Sequence, residues 1–428
     1  MAALLRWRFI EFYIAKESGY SPNNSDRTEV MIYRQKIIAA LESKRDAFAS
    51  FDKGFQEERE SYSDALNKLK STPRTELESR LANAPTPGAI PTPEYDKGVD
   101  GVISFPQKFS NHQEARDWAL TTLLDRKTFA ADGSQIMPTK DFSVPVAIVQ
   151  VGWFENNHSR DGQYVKDTKV EVLTPDDLFT ETGADRQISE AEVNLRRFQL
   201  ETARLCEYMK ERSSDNGLNW PVAFFDNTLV ISFAERFKDR RSSYIASMLP
   251  MLQCSEQTRV PLVGYVDTTF ARDLTNMLQT CFELRTAKKV HDAILIDGFA
   301  TNGMSWGDRT PVYVCARDGI LEEYVDDSTD LRRRIGFLYI KTNVGLPARV
   351  DVPLWVYEAG LLDEVLDVVR AEVIVGNGYP YAIETADAVT AISQSDREIF
   401  LGVFQEFTSR QKIDLRYSRK ALSKVRRR

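Results

Sequence analysis

Three carboxylates stand among apolar residues, where a charge is costly to keep. Asp132 lies in Ala131-Asp132-Gly133-Ser134, and Asp226 follows Val222-Ala223-Phe224-Phe225 and precedes Leu229-Val230-Ile231. Glu201 shares a helical face with Phe198, Leu205 and Tyr208 through steps of 3, 4 and 3. A carboxylate at the end of a buried strand must be paired, hydrogen-bonded or bound to a metal. Three such oxygen donors meeting at one point would hold a hard divalent cation and suit in-line phosphoryl hydrolysis, with ions about 3.5–4 Å apart if two bind. Plainer readings stand beside this one: Asp132-Gly133 as a turn, and Asp226-Asn227 as the turn of a hairpin.

Composition narrows the chemistry further. The chain has 428 residues, 42% hydrophobic and 28% charged, enough for two or three domains' worth of core. Its three histidines, His112, His158 and His291, form no HExxH spacing, so any metal would be held by oxygens, which favours manganese or magnesium over zinc or copper. Cys206, Cys254, Cys281 and Cys315 lie 48, 27 and 34 residues apart and are expected as reduced core thiols. The absence of a Walker A sequence, a nucleophile elbow and a glycine-rich dinucleotide fingerprint argues against ATP hydrolysis by this chain. Apolar runs are strand-length, and Arg6 and Arg8 interrupt the first of them, so a cytoplasmic protein without a membrane partner is expected. Net charge is 56 minus 63, or −7, but residues 409–428 hold nine Lys/Arg against Asp414, leaving 47 minus 62, or −15, for the rest. A basic tail on an acidic body touches phosphate or an acidic partner, or simply solubilises.

The elements that must position the carboxylates follow from periodicity. Ile37, Leu41, Phe48, Phe51, Phe55, Tyr62, Leu66 and Leu69 recur on one helical face, predicting one long or two medium helices with Gly54 as a break. Residues 84–95 carry Pro85, Pro87, Pro91 and Pro93 and read as a linker between an N-terminal helical region, 1–83, and a main domain, 96–408. Residues 409–428 form the tail. Strands are predicted at 144–154, 260–266, 310–316, 335–342 and 349–355, with two more within 220–233 around Asp226-Asn227. Helices fit at 189–212, 237–252, 270–285, 358–372 and 380–394. Strands interspersed with helices predict an α/β sheet with helices on its faces.

Five ordered motifs make the chain resemble the NurA nuclease family. They are Ala131-Asp132-Gly133-Ser134; Phe225-Asp226-Asn227-Thr228-Leu229; Val263-Gly264-Tyr265-Val266-Asp267 with Arg272-Asp273-Leu274; Pro347-Ala348-Arg349-Val350-Asp351-Val352-Pro353; and Gly378-Tyr379-Pro380-Tyr381-Ala382-Ile383 with Ala386-Asp387. The likeness spans residues 128 to 395, roughly. It implies an RNase H-like, PIWI-like mixed sheet flanked by helices, with an N-terminal helical extension. It also implies a deoxyribonuclease that cuts single strands endonucleolytically, degrades DNA 5′ to 3′, prefers Mn²⁺ (or Mg²⁺), acts as a dimer and processes double-strand breaks beneath a HerA-type hexameric ATPase.

Carried over by motif, the resemblance makes Asp132, Glu201, Asp226, Tyr379 and Asp387 the catalytic candidates and assigns metal ligation to Asp132, Glu201, Asp226 and Asp387. Glu171 and Glu207 are the alternatives to Glu201. Asp387 stands where the family pattern has histidine; an aspartate is normally ionised and ligates a hard cation, which shifts the site toward all-oxygen ligation and puts any acid–base role at that position in doubt. Asn227 replaces the usual glycine of the second motif, and asparagine tolerates the left-handed conformation second best.

Other residues carry two readings each. Arg349 contacts phosphate or pairs with Asp351, and Asp267 and Asp297 are further ligands or turn caps. Trp153, Phe154, Trp220 and Trp306 stack single-strand bases if they line the cleft, or else fill the core. The rival functions are a catalytically inactive adapter that binds DNA or an ATPase through helices 30–70 and the basic tail, and an RNA-directed nuclease of the same fold.

Overall fold

A computed structural model gives the fold, described for residues 33–98, 100–139, 142–182, 185–213, 220–297, 303–326 and 329–416. The distal part of the basic tail, 417–428, lies outside these residues. The chain begins with α1 (Arg34–Glu42), α2 (Arg45–Lys70) and α3 (Arg74–Leu81). The amphipathic stretch breaks at Ser43-Lys44 rather than at Gly54, which sits inside α2. In the unit that ends at Gln56, Ile37, Leu41, Phe48 and Phe51 are exposed; from Tyr62 onward the stripe is buried through Leu66 and Leu69.

Nine strands form one mixed sheet: β1 (Gly88–Pro91), β2 (Thr128–Ile136), β3 (Ala147–Asn156), β4 (Tyr164–Leu173), β7 (Val222–Phe225), β8 (Leu262–Val266), β9 (Tyr313–Ala316), β10 (Ile335–Ile340) and β11 (Ala348–Pro353). A separate hairpin pairs β5 (Phe179–Thr182) with β6 (Asp185–Ile188). The order across the sheet is β1-β9-β10-β11-β8-β7-β2-β3-β4, with β2, β7 and β8 parallel neighbours and the other pairs antiparallel. β7, β10 and β11 are buried from end to end, as strands covered on both faces must be. β4 closes one side of the sheet and is exposed over most of its length.

The larger helices are α4 (His112–Leu123), α5 (Glu190–Glu211), α6 (Arg241–Thr258), α7 (Asp273–Phe282), α8 (Leu362–Val375), α9 (Tyr381–Thr390) and α10 (Gln394–Arg410). Alternation along β2 fixes which helix covers which face. Asp132 pairs with Gly152, where a Cβ would lie 2.6 Å from Thr390 of α9; a Cβ on the next residue, Gly133, would lie 2.5 Å from Glu201 of α5. So α9 and α5 cover opposite faces. On the α9 side, Val222, Phe224, Val263, Tyr265, Leu338, Ile340, Val350 and Val352 project at every second position into the main core with Val365, Val369 and Ile383, each worth about 1.5–3 kcal/mol when fully buried.

Two expectations are corrected. The proline-rich 84–95 segment supplies β1, which pairs with β9 from Gly88↔Ala316 to Pro91↔Tyr313; Pro91 is accommodated because the strand lies on the sheet's edge. Residues 220–233 contain one strand, not a hairpin. After β7 the chain turns at Asp226-Asn227 and enters a short 3-10 helix, Ser232–Arg236.

Candidate active site

β2 and β7 run side by side in parallel, with Thr128, Phe129 and Ala130 opposite Val222, Ala223 and Phe224. Two residues further along that register, Asp132 and Asp226 are neighbours on the α9 face of the sheet. β7 stops at Phe225 whereas β2 continues to Ile136, so space opens beyond the end of β7. A cavity of about 310 Å³ lies there, lined by Asp132, Glu201 and Asp226 together with Arg197 and aromatic side chains from α5, α6 and the segment between β7 and α6.

The turn bearing Asp226 is held from beneath. Asp351 of β11 accepts hydrogen bonds from Thr228 Oγ1 at 2.5 Å and from the Leu229 amide at 2.9 Å. Arg349 donates to Asp351 at 2.7 Å and to Asp273 at 2.5 Å. On β8, a Cβ at Gly264 would come within 2.7 Å of the Asn227 carbonyl oxygen, so only glycine lets the turn lie this close. Asn227 does not use the left-handed conformation; its side chain instead accepts from the Thr228 amide at 2.8 Å.

Each carboxylate has a donor. Thr390 Oγ1 donates to Asp132 at 3.1 Å, the Tyr379 hydroxyl donates to Asp226 at 2.5 Å, and Arg197 donates to Glu201 at 2.9 Å and to the Gly133 carbonyl at 3.1 Å. The start of α9, just after Tyr379-Pro380, is fixed by buried Glu372, which accepts from the Ala382 amide and from Thr128 Oγ1, both at 2.8 Å.

Burial pushes all three acids up. Glu201 rises to about 7, first through burial and then through the charges of Asp132 and Asp226, against the pull of Arg197. Asp132 and Asp226 rise through desolvation, with exposed Asp387 adding repulsion to both. Between about pH 4.5 and 7 the folded protein therefore binds more protons at Glu201 than the unfolded chain does, and this contribution to stability falls as pH rises through that window. In EDTA the melting temperature of Glu201→Gln is expected to decline less over pH 5–7 than that of the parent. Parallel profiles would show that Glu201 titrates normally.

The donor set is all oxygen, as a hard divalent ion requires. Among the described residues, no three His, Cys, Asp or Glu side chains stand together as a ready metal cluster. Asp132 and Asp226 share the α9 face with nearby Asp387, whereas Glu201 reaches the cavity from the α5 face, where Arg197 holds it. A cation among the acids would relieve their mutual repulsion, and Glu201 would first have to leave its ion pair with Arg197.

Other sequence candidates fall elsewhere. Glu171 is paired with Arg196 and Glu207 with Arg204, and neither lines the cavity. Arg349 is buried in its ion pairs, which excludes the phosphate contact and leaves the structural reading. Asp267 accepts from Asn343, and Asp297 pairs with Lys341. Phe154 is core, Trp153 stacks under Arg204, Trp220 under Arg126, and Trp306 bonds Thr342, so none of the four walls the cavity. Phe198, Phe225, Phe233, Phe237 and Tyr244 do. Sequence reading missed Arg197, although its i,i+4 spacing from Glu201 is a helical ion-pair signal; Thr390 carried no local signal.

Fold and site define a mixed α/β protein with an acidic cavity where two parallel strands meet. Residues 126–392, well over half of the chain, match the model of the NurA domain. The chain belongs to the NurA family and is thereby placed among nucleases of DNA processing. A solved structure described as the crystal structure of NurA is similar at 9% identity and a TM-score of 0.40, covering 66% of this chain and 88% of that one. No curated protein matches.

Proposed function

We propose that the chain is a divalent-metal-dependent deoxyribonuclease acting on single strands and DNA ends. The observation that carries this reading is the adjacency of Asp132 and Asp226 on parallel strands, facing one cavity. Asp132, Asp226 and Asp387, with Glu201 once released from Arg197, would hold Mn²⁺ or Mg²⁺. When bound, the ion supplies Lewis-acid activation of water and stabilisation of the departing 3′ oxygen. The chain's own groups set the geometry: Tyr379 orients Asp226, Thr390 orients Asp132, and Arg197 keeps Glu201 in reserve. The strand order β4-β3-β2-β7-β8, an antiparallel meander followed by two parallel neighbours, supports an RNase H-like core.

A single-stranded substrate is supported by the aromatic wall. Phe237 is half-buried and stacks on Tyr244 with centroids 5.8 Å apart, which leaves a ring for a base. Phe237→Ala is expected to weaken binding of a labelled single strand by about 1–3 kcal/mol, read by fluorescence anisotropy with Ca²⁺ as the non-cutting ion. Unchanged affinity would remove the stacking role.

The proposal extends to a cytoplasmic homodimer working with a HerA-type hexameric ATPase in double-strand break processing. An acidic body grips DNA poorly by charge, so a translocating partner would supply retention. No described helix is long and apolar enough to cross a membrane. The segments 1–83, 96–408 and 409–428 are kept as a helical region, a nuclease domain and a basic tail, with 84–95 joined to the nuclease sheet through β1. The inactive-adapter reading draws on the exposed Ile37, Leu41, Phe48 and Phe51. The deciding experiment incubates labelled single-stranded DNA and RNA with the protein in Mn²⁺, Mg²⁺ and EDTA. Metal-dependent DNA cleavage supports the nuclease; preferential RNA cleavage changes the substrate. No cleavage under any divalent ion, with an ATPase co-purifying, leaves the adapter.

A further inference from the structure

α5 and α6 lie against one another, and at their contact two thiols 48 residues apart in sequence meet. The Cys254 thiol donates to the Cys206 carbonyl oxygen at 3.3 Å. Cys254 is buried, while Cys206 is partly exposed and opens onto a groove of about 620 Å³ between the two helices. Lys210, one turn beyond Cys206, lines the same groove. The hydrogen bond from Cys254 and the charge of Lys210 hold the Cys206 thiol below its ordinary range, and Cys254 is pushed up. Buried Cys281 and Cys315 are each pushed up to about 11, chiefly by burial. Since the thiolate is the reactive form, the four cysteines are not equivalent: one is accessible and activated, and it has a second thiol beside it.

We propose that Cys206 and Cys254 form a peroxide-reactive dithiol, with Cys206 the attacking sulfur, Cys254 the resolving one, and a disulfide joining α5 to α6 as the product. In the first step the Cys206 thiolate attacks one oxygen of a hydroperoxide; the S–O bond forms, the O–O bond breaks, and the alkoxide or hydroxide leaves with a proton from solvent. Cys206 becomes a sulfenic acid. In the second, the Cys254 sulfur attacks Cys206; the S–S bond forms, the S–O bond breaks, and hydroxide leaves as water with the Cys254 proton. Two thiols are oxidised by two electrons and one peroxide is reduced. A thiol reductant reverses the product by exchange. The site is independent of the nuclease reading, although the clamped helix also carries Glu201.

The test treats the reduced full chain with hydrogen peroxide at pH 7, then unfolds it in denaturant, blocks free thiols with iodoacetamide and maps peptides by mass spectrometry without reduction. The expected result is a Cys206–Cys254 linked peptide pair that dithiothreitol releases, with Cys281 and Cys315 fully alkylated and Cys206 consumed at least ~tenfold faster than either. In Cys254→Ser, Cys206 stops at a sulfenic acid that dimedone traps; in Cys206→Ser, Cys254 stays reduced. Four alkylatable thiols after peroxide, equal loss of all four, or oxidation of Cys254 in Cys206→Ser would overturn the proposal. The mapping of the unsubstituted chain decides it even if either variant folds poorly.

Discussion

Asp132→Asn and Asp226→Asn are each expected to leave a folded protein whose Mn²⁺-dependent cleavage of single-stranded DNA falls on the order of 10³-fold or more, about 4 kcal/mol of barrier. The two substitutions are nearly isosteric, and each removes a charge that its surroundings already disfavour, since desolvation raises both acids and Asp387 repels both. The variants should therefore melt in EDTA at or above the parent's temperature, while losing the stabilisation that Mn²⁺ gives the parent by binding the folded state. Loss of activity with a lowered melting temperature in EDTA would point to structural damage instead. Retained cleavage would move the chemistry away from this pair.

The second large effect concerns stability. Arg349 is 1% exposed and bonded to Asp273 and Asp351, which are 1% and 0% exposed; Arg317 completes the group through Asp273. Burial raises the Asp273 carboxyl, but Arg317 and Arg349 outweigh it and hold the group below its ordinary value. Arg349→Leu strands Asp351 without its cation, and breaking a buried pair in this way costs about 3–5 kcal/mol. Urea unfolding followed by circular dichroism should show that loss as a lower midpoint. Because Asp351 also holds Thr228 and Leu229, catalysis by the folded fraction should fall as well. An unfolding free energy within about 1 kcal/mol of the parent would show that the network contributes little.

The sequence exposed those parts of the fold whose pattern depends on burial alone. β7, β8 and β10 are short continuous apolar runs, β11 alternates Val350 and Val352 with the charged Arg349 and Asp351, and Glu201 could be placed on its helical face from the spacing of Phe198, Leu205 and Tyr208. β2 hid itself because it carries Asp132, Gly133, Ser134 and Gln135, a polar run that reads as a turn and is a strand because the site needs it there. β1 was masked by prolines, and β4 by the charges of an exposed strand. The sheet face on which each acid lies depends on the pairing of β2 with β7, segments some 90 residues apart, and local periodicity carries no record of that register. The meeting of Cys206 with Cys254 was equally invisible, since it arises from helix packing and not from spacing.

The two margins of the sheet have a consequence for how the protein behaves at high concentration. A ten-residue outermost strand offers a ladder of backbone donors and acceptors on which another chain could grow, and β4 is such a strand. Its Lys166, Asp167 and Lys169 act as gatekeepers against that growth, while the opposite margin is guarded by brevity and by the missing amide proton of Pro91. Both rims of the sheet thus carry features that oppose edge-to-edge pairing.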